Sequence, residues 1–323
     1  MAACPGWTRP RRKPRRSRRT RQKLPSGRAA DSSPPWKNWT DAMRLAFSNL
    51  TLPAFDHLTY LPDIRAFGVE GVEIAPDHTF RRPHFGKDFC AREVATYGQA
   101  ARLAGLEIVG LHALLGGRPE LDMFGDADIR HHTIRHLVHL SEICRDLGGR
   151  TLILDSRWAR GMPRKEAFLQ GRAFLEKLLP QIEGHGTVLC FAPLAPDEGD
   201  FCRLAPELFM LASAIDHPSL GLHVSTAALA ANNETGHKNF AARRGRLDHV
   251  HIDEPGLVAL GASGTVDHAD VRRHLSAISY TGWCSVVQRL RPGLSPTDLV
   301  FRSVRGFKAM YRQDFRNRRT FHV

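Results

Sequence analysis

Short apolar runs alternate with longer amphipathic segments along most of this chain. Within the longer segments the apolar residues recur with the spacing of a helix. Strands alternating with helices predict right-handed crossovers and a parallel sheet. The predicted strands are Leu45 to Leu50, Val72 to Ala75, Leu106 to Leu115, Thr151 to Asp155, Val188 to Pro193, Leu220 to Thr226, His249 to Asp253 and Cys284 to Gln288. The predicted helices are Phe89 to Ala104, Ile129 to Leu147, Arg164 to Glu183, Leu204 to Ile215, Ala269 to Ile278 and Pro296 to Phe315.

The number of strands favours a closed barrel over an open sheet. Eight strand and helix units over about 270 residues fit an α/β protein of the (β/α)8 TIM barrel type. A doubly wound open sheet is the structural alternative. The sequence has neither a GxGxxG nor a GxxxxGK[ST] motif, which counts against a nucleotide-binding sheet.

The positive charge is concentrated at the start of the chain. Residues 1–42 contain nine Arg and three Lys against Asp31 and Asp41, so this segment carries +10 of the formal net charge of +13. Such an Arg/Pro-rich segment repels itself and buries little, so we predict a disordered basic extension, followed by a barrel domain over residues 43–323. Two interpretations stay open: a dispensable or wrongly assigned extension with translation starting at Met43, or an arm that binds nucleic acid.

Cysteine spacing and hydropathy indicate the cellular compartment in which the protein works. The six cysteines lie far apart with no CxxC pair, a pattern that favours a reducing environment without a disulfide framework. No apolar run approaches the roughly 18 residues that span a bilayer. We therefore expect a cytoplasmic protein with no membrane partner.

Polar residues gather at the carboxyl ends of the predicted strands, where barrel enzymes place their chemistry. Alternate residues of a strand share one face, so His223 and Ser225 should face one way, as should His249, His251 and Asp253. The other polar residues near strand ends are Glu73, His112, Asp155, Arg157, Trp158, Arg160 and Glu254.

Four segments carry a resemblance to a known family. Gly71 to Pro76, Glu107 to Leu115, Asp248 to Pro255 and Gly282 to Ser285 resemble the sugar phosphate isomerase/epimerase family of xylose isomerase-like barrels. The resemblance covers Met43 to Tyr311, in order and with barrel spacing. It implies a xylose isomerase-like TIM barrel and a 1,2-proton shift on a small carbohydrate or hydroxy-keto compound.

The resemblance also implies a divalent metal, Mn, Mg, Co or Zn, held by Glu, Asp, His and Glu on strands five to eight. Carried over position by position, it predicts Ala192 where the first Glu is expected and Ser225 where the Asp is expected. His251 stands at the His position, and Val287, or Gln288 after a shift of one residue, stands at the second Glu position. Three of the four ligands are thus absent, and the chain is expected either to bind the metal weakly or to bind none.

The same substitutions affect catalysis. In such isomerases the two glutamates are also thought to move the substrate proton, beside an enediolate that the metal stabilises. Alanine and valine cannot exchange protons, so no catalytic residue is assigned. A displaced metal site is the alternative, built from Asp155, Asp253 or Glu73 with His112 and His251.

Several other residues are candidates for binding a carbohydrate. Imidazoles at a barrel rim can bond to sugar hydroxyls, guanidinium groups can bind a phosphate or carboxylate, and an indole can stack on a sugar ring. On these grounds we predict substrate contacts from His112, His223, His249, Arg157, Arg160 and Trp158.

Three functions follow as hypotheses. The first is an isomerase or epimerase impaired in metal-dependent catalysis. The second is a non-catalytic pseudoenzyme barrel that binds a sugar-like ligand or a protein partner. The third is a nucleic-acid protein that uses the basic extension, although a repair nuclease of related fold would need a multi-zinc cluster that the sequence does not supply. Family barrels often associate, so an oligomer is compatible with the sequence.

Overall fold

The computed structural model describes residues 43–81, 89–155, 158–159 and 161–312. Eight parallel strands form a closed barrel in sequence order, and the last strand pairs with the first. This confirms the predicted (β/α)8 architecture and excludes the open sheet. The strands are β1 Arg44–Ser48, β2 Gly71–Ile74, β3 Glu107–Leu111, β4 Thr151–Leu154, β5 Val188–Phe191, β6 Leu220–Ser225, β7 Leu247–Asp253 and β8 Trp283–Val287.

Helices between the strands cover the outside of the barrel. Each of the six predicted helices is present, and Arg164–Glu183 has the predicted bounds. The end predicted for the sixth helix, residues 313–315, lies outside the described residues. None of the helices in the described ranges is long and apolar enough to cross a membrane. The helices are α1 Leu61–Ala66, α2 Pro76–Thr79, α3 Ala91–Leu103, α4 Ala127–Leu147, α5 Arg164–Glu183, α6 Ala205–Ile215, α7 Thr226–Ala231, α8 His237–Ala241, α9 His268–Ala277 and α10 Pro296–Tyr311.

Local signals explain where the long helices begin and end. At the start of α4, Asp126 Oδ1 accepts a hydrogen bond of 2.9 Å from the backbone N–H of Ile129, which is an N-cap interaction. At its end, Gly148 adopts the left-handed conformation with φ 86°, which a residue without Cβ does at little cost. The helices α1, α2, α7 and α8 have six residues or fewer, too few for the periodicity of their side chains to predict them.

The register of the strands determines which side chains enter the barrel. Side chains of paired residues in neighbouring parallel strands point to the same face of a sheet. His251 pairs with Ser225 on one side and Ser285 on the other, and Asp253 pairs with Val287. Residues at these positions therefore share the inner face of the barrel.

The interior is divided into an apolar and a polar part. On β4 and β5 and just beyond, the side chains of Ile153, Val188, Cys190 and Ala192 form a buried apolar cluster of their own, separate from the main core between strands and helices. Acidic and imidazole side chains lie on other strands at buried positions. Since barrel interiors are usually filled by branched apolar residues, the polar part is the place to look for chemistry.

Candidate functional site

One glutamate and four histidines form a polar centre inside the barrel. We call Glu73, His112, His223, His249 and His251 the histidine–glutamate centre. Glu73 lies on β2, His112 follows β3, and the other three histidines lie on β6 and β7. The exposed fraction is 0% for Glu73 and His249 and reaches only 6% for His251. The centre is therefore shielded from bulk solvent, and its electrostatic interactions are strong.

The Glu73 carboxylate lies between two histidines of β7. Its Oε2 atom is 2.9 Å from His251 Nε2, with hydrogen-bond geometry. Its Oε1 atom is 3.2 Å from His249 Nε2, but the two atoms are not aligned for a hydrogen bond. Burial alone would raise the pKa of Glu73, yet the neighbouring His251, His249 and His112 lower it well below its ordinary value. Burial alone would lower the pKa of His251, but the Glu73 carboxylate raises it. The centre therefore favours an ionised Glu73 beside a protonated His251.

The other two histidines are held in their neutral form. Burial lowers the pKa of His112 to about 4, and its Nε2 atom is 2.8 Å from Ser48 Oγ. Burial, with the nearby His251 and His249, lowers the pKa of His223 well below its ordinary value. The His223 ring lies 4.3 Å from that of His251, centroid to centroid, and both of its ring nitrogens are buried without a hydrogen-bond partner among the described residues.

Three residues of this centre have the composition of a metal site. One ligand atom each from Glu73, His249 and His251 can be chosen so that all lie within 4.8 Å of one another. Two imidazoles and a carboxylate are a common donor set for divalent transition metals. The structure thus contains a possible metal site.

The sequence of the barrel matches the model of a known protein family. Residues 61–309 match the model described as "Xylose isomerase-like TIM barrel". The chain belongs to the xylose isomerase-like TIM barrel family. No curated protein sequence matches it.

Solved structures of several epimerases share the family fold. A D-psicose 3-epimerase from Clostridium cellulolyticum H10, solved with D-tagatose, has a TM-score of 0.70 and 14% identity, over 84% of this chain and 100% of that one. The 3-keto-D-glucoside 4-epimerase of E. coli has a TM-score of 0.65 and 16% identity, over 83% and 99%. A sugar phosphate isomerase/epimerase from Parabacteroides distasonis ATCC 8503 has a TM-score of 0.62 and 13% identity, over 88% and 98%. At these identities the similarity concerns the fold.

The positions where the family resemblance predicts carboxylate ligands lie around the inner face. Ala192 and Val287 are buried, with 4% of each residue exposed. Val287 pairs with Asp253 and shares the inner face. Gln288 points outward instead, where its Oε1 accepts a hydrogen bond of 2.8 Å from Ser303 Oγ on α10. Of the two alternatives on strand eight, Val287 is therefore the residue that faces the interior.

Ser225 and Asp253 bind each other at the mouth. Ser225 Oγ donates to Asp253 Oδ2 over 2.8 Å and accepts from Ala228 N over 3.1 Å, which caps α7. Asp253 Oδ1 also accepts from Ala227 N over 2.9 Å, and Thr226 Oγ1 lies 3.0 Å from it. Burial raises the pKa of Asp253 despite these bonds. Asp253 thus connects β7 to the start of α7, and its charge also acts on His251, whereas Glu73 is the acid with a hydrogen bond to that histidine.

Glu254 has its partners outside the barrel. It accepts hydrogen bonds of 2.7 Å from Gly261 N and from His268 Nε2, and it also bonds Ser263 Oγ. His268 Nδ1 is 2.7 Å from Tyr311 Oη on α10. This network anchors the loop after β7 to α9 and α10, on the opposite face from Asp253.

The predicted residues after β4 are only partly described. Trp158 is 46% exposed, as an indole available for stacking would be. The Asp155 carboxylate lies close enough to His251 to contribute to the raised pKa of that imidazole. Arg157 and Arg160 lie outside the described residues, as does the basic extension 1–42, so the predictions made for them stay predictions.

The sequence indicates the pairing of Glu73 with two histidines only in part. It groups Glu73 with His251 as members of a displaced site and assigns His249 to substrate binding. Alternation along β7 places His249 and His251 on one face, which is the signal that could have joined them. The buried hydroxyls of Ser48 and Ser285 were missed, because serine in an apolar run carries no distinctive signal.

Proposed function

We propose that this protein is isomerase/epimerase-like, binds a small carbohydrate or hydroxy-keto compound at the carboxyl end of its barrel, and is impaired in the family's metal-dependent 1,2-proton shift. The single observation that supports impairment is the type of residue at the two inner-face positions where the family resemblance places glutamates. Ala192 and Val287 stand there, and neither side chain binds a metal or transfers a proton.

The metal site implied by the family does not fit the residues at the expected positions. Ala192 and Val287 have no donor atom, and the hydroxyl of Ser225 is already used by Asp253 and the cap of α7. A hard divalent cation is attracted chiefly by anionic oxygen. No step of the reaction is therefore derived through a metal at these positions.

The remaining polar groups support binding more than proton transfer. His112 and His223 are neutral imidazoles, each able to donate or accept a hydrogen bond. His251 is the most exposed histidine of the centre, at 6%, and can offer a further hydrogen bond to a ligand. The exposed Trp158 can stack on the apolar face of a sugar. We propose these four residues as the contacts of the ligand.

A non-catalytic barrel is the second candidate function. The loss of both proton-transferring side chains supports it as directly as it supports impairment. In that case the site would bind a sugar-like ligand or a protein partner without any turnover. The thiols of Cys90, Cys144, Cys190 and Cys284 form no disulfide within the described residues, which supports our further proposal that the protein works in the reducing cytoplasm.

Binding and solvent exchange measured together test the proposal. The full-length chain is incubated in D2O with ketopentoses, ketohexoses and their phosphates, and NMR follows deuterium at the carbons beside the carbonyl. Binding is measured by calorimetry on the same panel, with Trp158→Phe and His223→Asn as site variants and His132→Asn, on the exposed face of α4, as the control. We expect saturable binding, weakened in the site variants only, with slow exchange above that of denatured protein.

Three other outcomes of these measurements would change the proposal. Rapid exchange with turnover would refute the impairment. Binding with no exchange above the denatured control would replace impaired catalysis by the non-catalytic barrel. Absence of binding to every compound would refute the carbohydrate proposal.

A further inference from the structure

We infer that a cavity outside the barrel wall binds a small aromatic carboxylate that carries a ring hydroxyl. The cavity has a volume of about 220 Å³, and its lining residues lie between β1 and β2 and between β2 and β3, with none on a strand. It shares no lining residue with the histidine–glutamate centre. The inference therefore does not depend on the proposed carbohydrate function.

Aromatic rings form much of the wall of this cavity. Phe55, Phe80 and Tyr97 line it, and the rings of Phe80 and Tyr97 meet edge to face with their centroids 5.9 Å apart. An aromatic ligand packs favourably against such rings, in stacked or edge-to-face contact. Since an apolar cavity of about 150 Å³ can hold one benzene molecule, this cavity of about 220 Å³ has room for one ring with two small polar substituents.

The backbone of Phe55 has a conformation that is unusual for a bulky residue. Its φ of 61° lies in the left-handed region, where phenylalanine is rare. Its backbone N–H donates to the carbonyl of His78 over 3.0 Å, yet the residue is 44% exposed. Burial in the core therefore does not explain the conformation. Strained residues cluster at sites that hold ligands, and this one presents its ring to the cavity.

Two polar groups in the wall have hydrogen-bonding capacity to spare. His57 is 3% exposed, and its Nε2 atom has no hydrogen-bond partner within the described residues. Tyr97 Oη accepts a long hydrogen bond of 3.5 Å from Asn49 Nδ2, which leaves its own O–H available to donate. A hydroxyl group on the ligand both donates and accepts, so it matches an imidazole and a phenol side by side.

The charge at the rim favours an anion. The charged side chains that line the cavity are Arg81, Arg92 and Glu93, two positive and one negative, for a net charge of +1. The guanidinium carbon of Arg81 lies 5.3 Å from the centroid of the Phe55 ring, beside the aromatic wall. Glu93 Oε2 accepts a hydrogen bond of 2.9 Å from the backbone N–H of Arg81. A carboxylate on the ligand can therefore pair with a guanidinium at the rim while its ring contacts Phe55.

Titration of the full-length chain with 4-hydroxybenzoate tests the site. Binding is measured by calorimetry, and the neutral 4-hydroxybenzamide is the comparison compound. Phe55→Asn removes the ring but keeps a residue type that tolerates a positive φ, and Arg81→Gln removes the charge. Phe301→Asn is the matched control, because Phe301 on α10 is 42% exposed and has the guanidinium of Arg305 5.8 Å from the centroid of its ring.

We expect one 4-hydroxybenzoate per chain with a dissociation constant on the order of 1 mM. Binding should be about 5-fold weaker in Phe55→Asn, in Arg81→Gln and for the amide, and unchanged in Phe301→Asn. A crystal structure of the wild type with 4-hydroxybenzoate should place the ring against Phe55 and Tyr97, a result that needs no variant to fold.

Four results would overturn the inference: no saturable binding, equal binding of the amide, equal weakening by Phe301→Asn, or a ring bound elsewhere on the protein. Because no carbohydrate is involved, failure of this inference would leave the carbohydrate proposal untouched.

Discussion

His57 should make the barrel sensitive to acid. It lies just before α1, is 3% exposed, and stacks on His78 with the ring centroids 5.2 Å apart. Burial, with a smaller contribution from His78, lowers the pKa of His57 from 6.5 to about 4. A histidine with a lowered pKa binds fewer protons in the folded than in the unfolded protein. Its contribution is therefore intact above pH 6.5 and is lost as the pH falls from there towards 4.

The size of the effect follows from the shift. At pH 5 the unfolded imidazole is almost fully protonated and the folded one almost fully neutral, so the free energy of unfolding should fall by about 2 kcal/mol relative to pH 7.5 because of His57 alone. The variant His57→Gln cannot titrate, and it retains an acceptor for Asn49 Nδ2, which lies 3.3 Å from His57 Nδ1. The variant should therefore lose about 2 kcal/mol less than the wild type between the two pH values.

Urea unfolding at pH 7.5 and pH 5.0, followed by far-UV circular dichroism, measures this difference. The control His132→Gln changes an exposed histidine of α4 and should keep the pH dependence of the wild type. If His57→Gln loses as much stability as the wild type on acidification, the buried neutral state of His57 is refuted.

Three further changes test the interior of the barrel. In chelator-treated protein, Glu73→Gln removes the carboxylate of a buried ion pair and should lower the free energy of unfolding by about 3–5 kcal/mol. The surface variant Glu142→Gln should lower it by less than about 1 kcal/mol. Equal losses in urea unfolding would contradict a charged pair of Glu73 and His251 inside the barrel. Gly110→Ala places a Cβ 2.2 Å from the backbone carbonyl of the next strand and should cost about 1–3 kcal/mol or more, while Gly184→Ala meets nothing within 4 Å and should leave the melting temperature nearly unchanged. Ser225→Ala removes both the cap of α7 and the hydrogen bond to Asp253, and should lower the free energy of unfolding by about 1–3 kcal/mol. No change in urea unfolding would contradict a stabilising role for the two bonds.

Much of the fold could be predicted because its signals are local. Apolar runs of strand length separated by amphipathic segments of helix length indicate a parallel α/β protein, and a count of eight selects the barrel. Helix α5 was predicted with its bounds, since twenty residues repeat the helical period. The alternation along β7 also indicated that His249, His251 and Asp253 share one face.

The arrangement of the site depended on contacts between residues far apart in the sequence. Alternation shows which residues share a face but not which face is the interior, so only the register showed that Val287 faces inward while Gln288 bonds to α10. Closure of the barrel brings Glu73 to His251 across 178 positions of sequence, whereas Asp253 finds its partners at the start of α7. The sequence by itself determined the barrel and the chemical types available to it. The tertiary structure decided which acid meets the histidines, because strand pairing and barrel closure are set by packing over the whole chain.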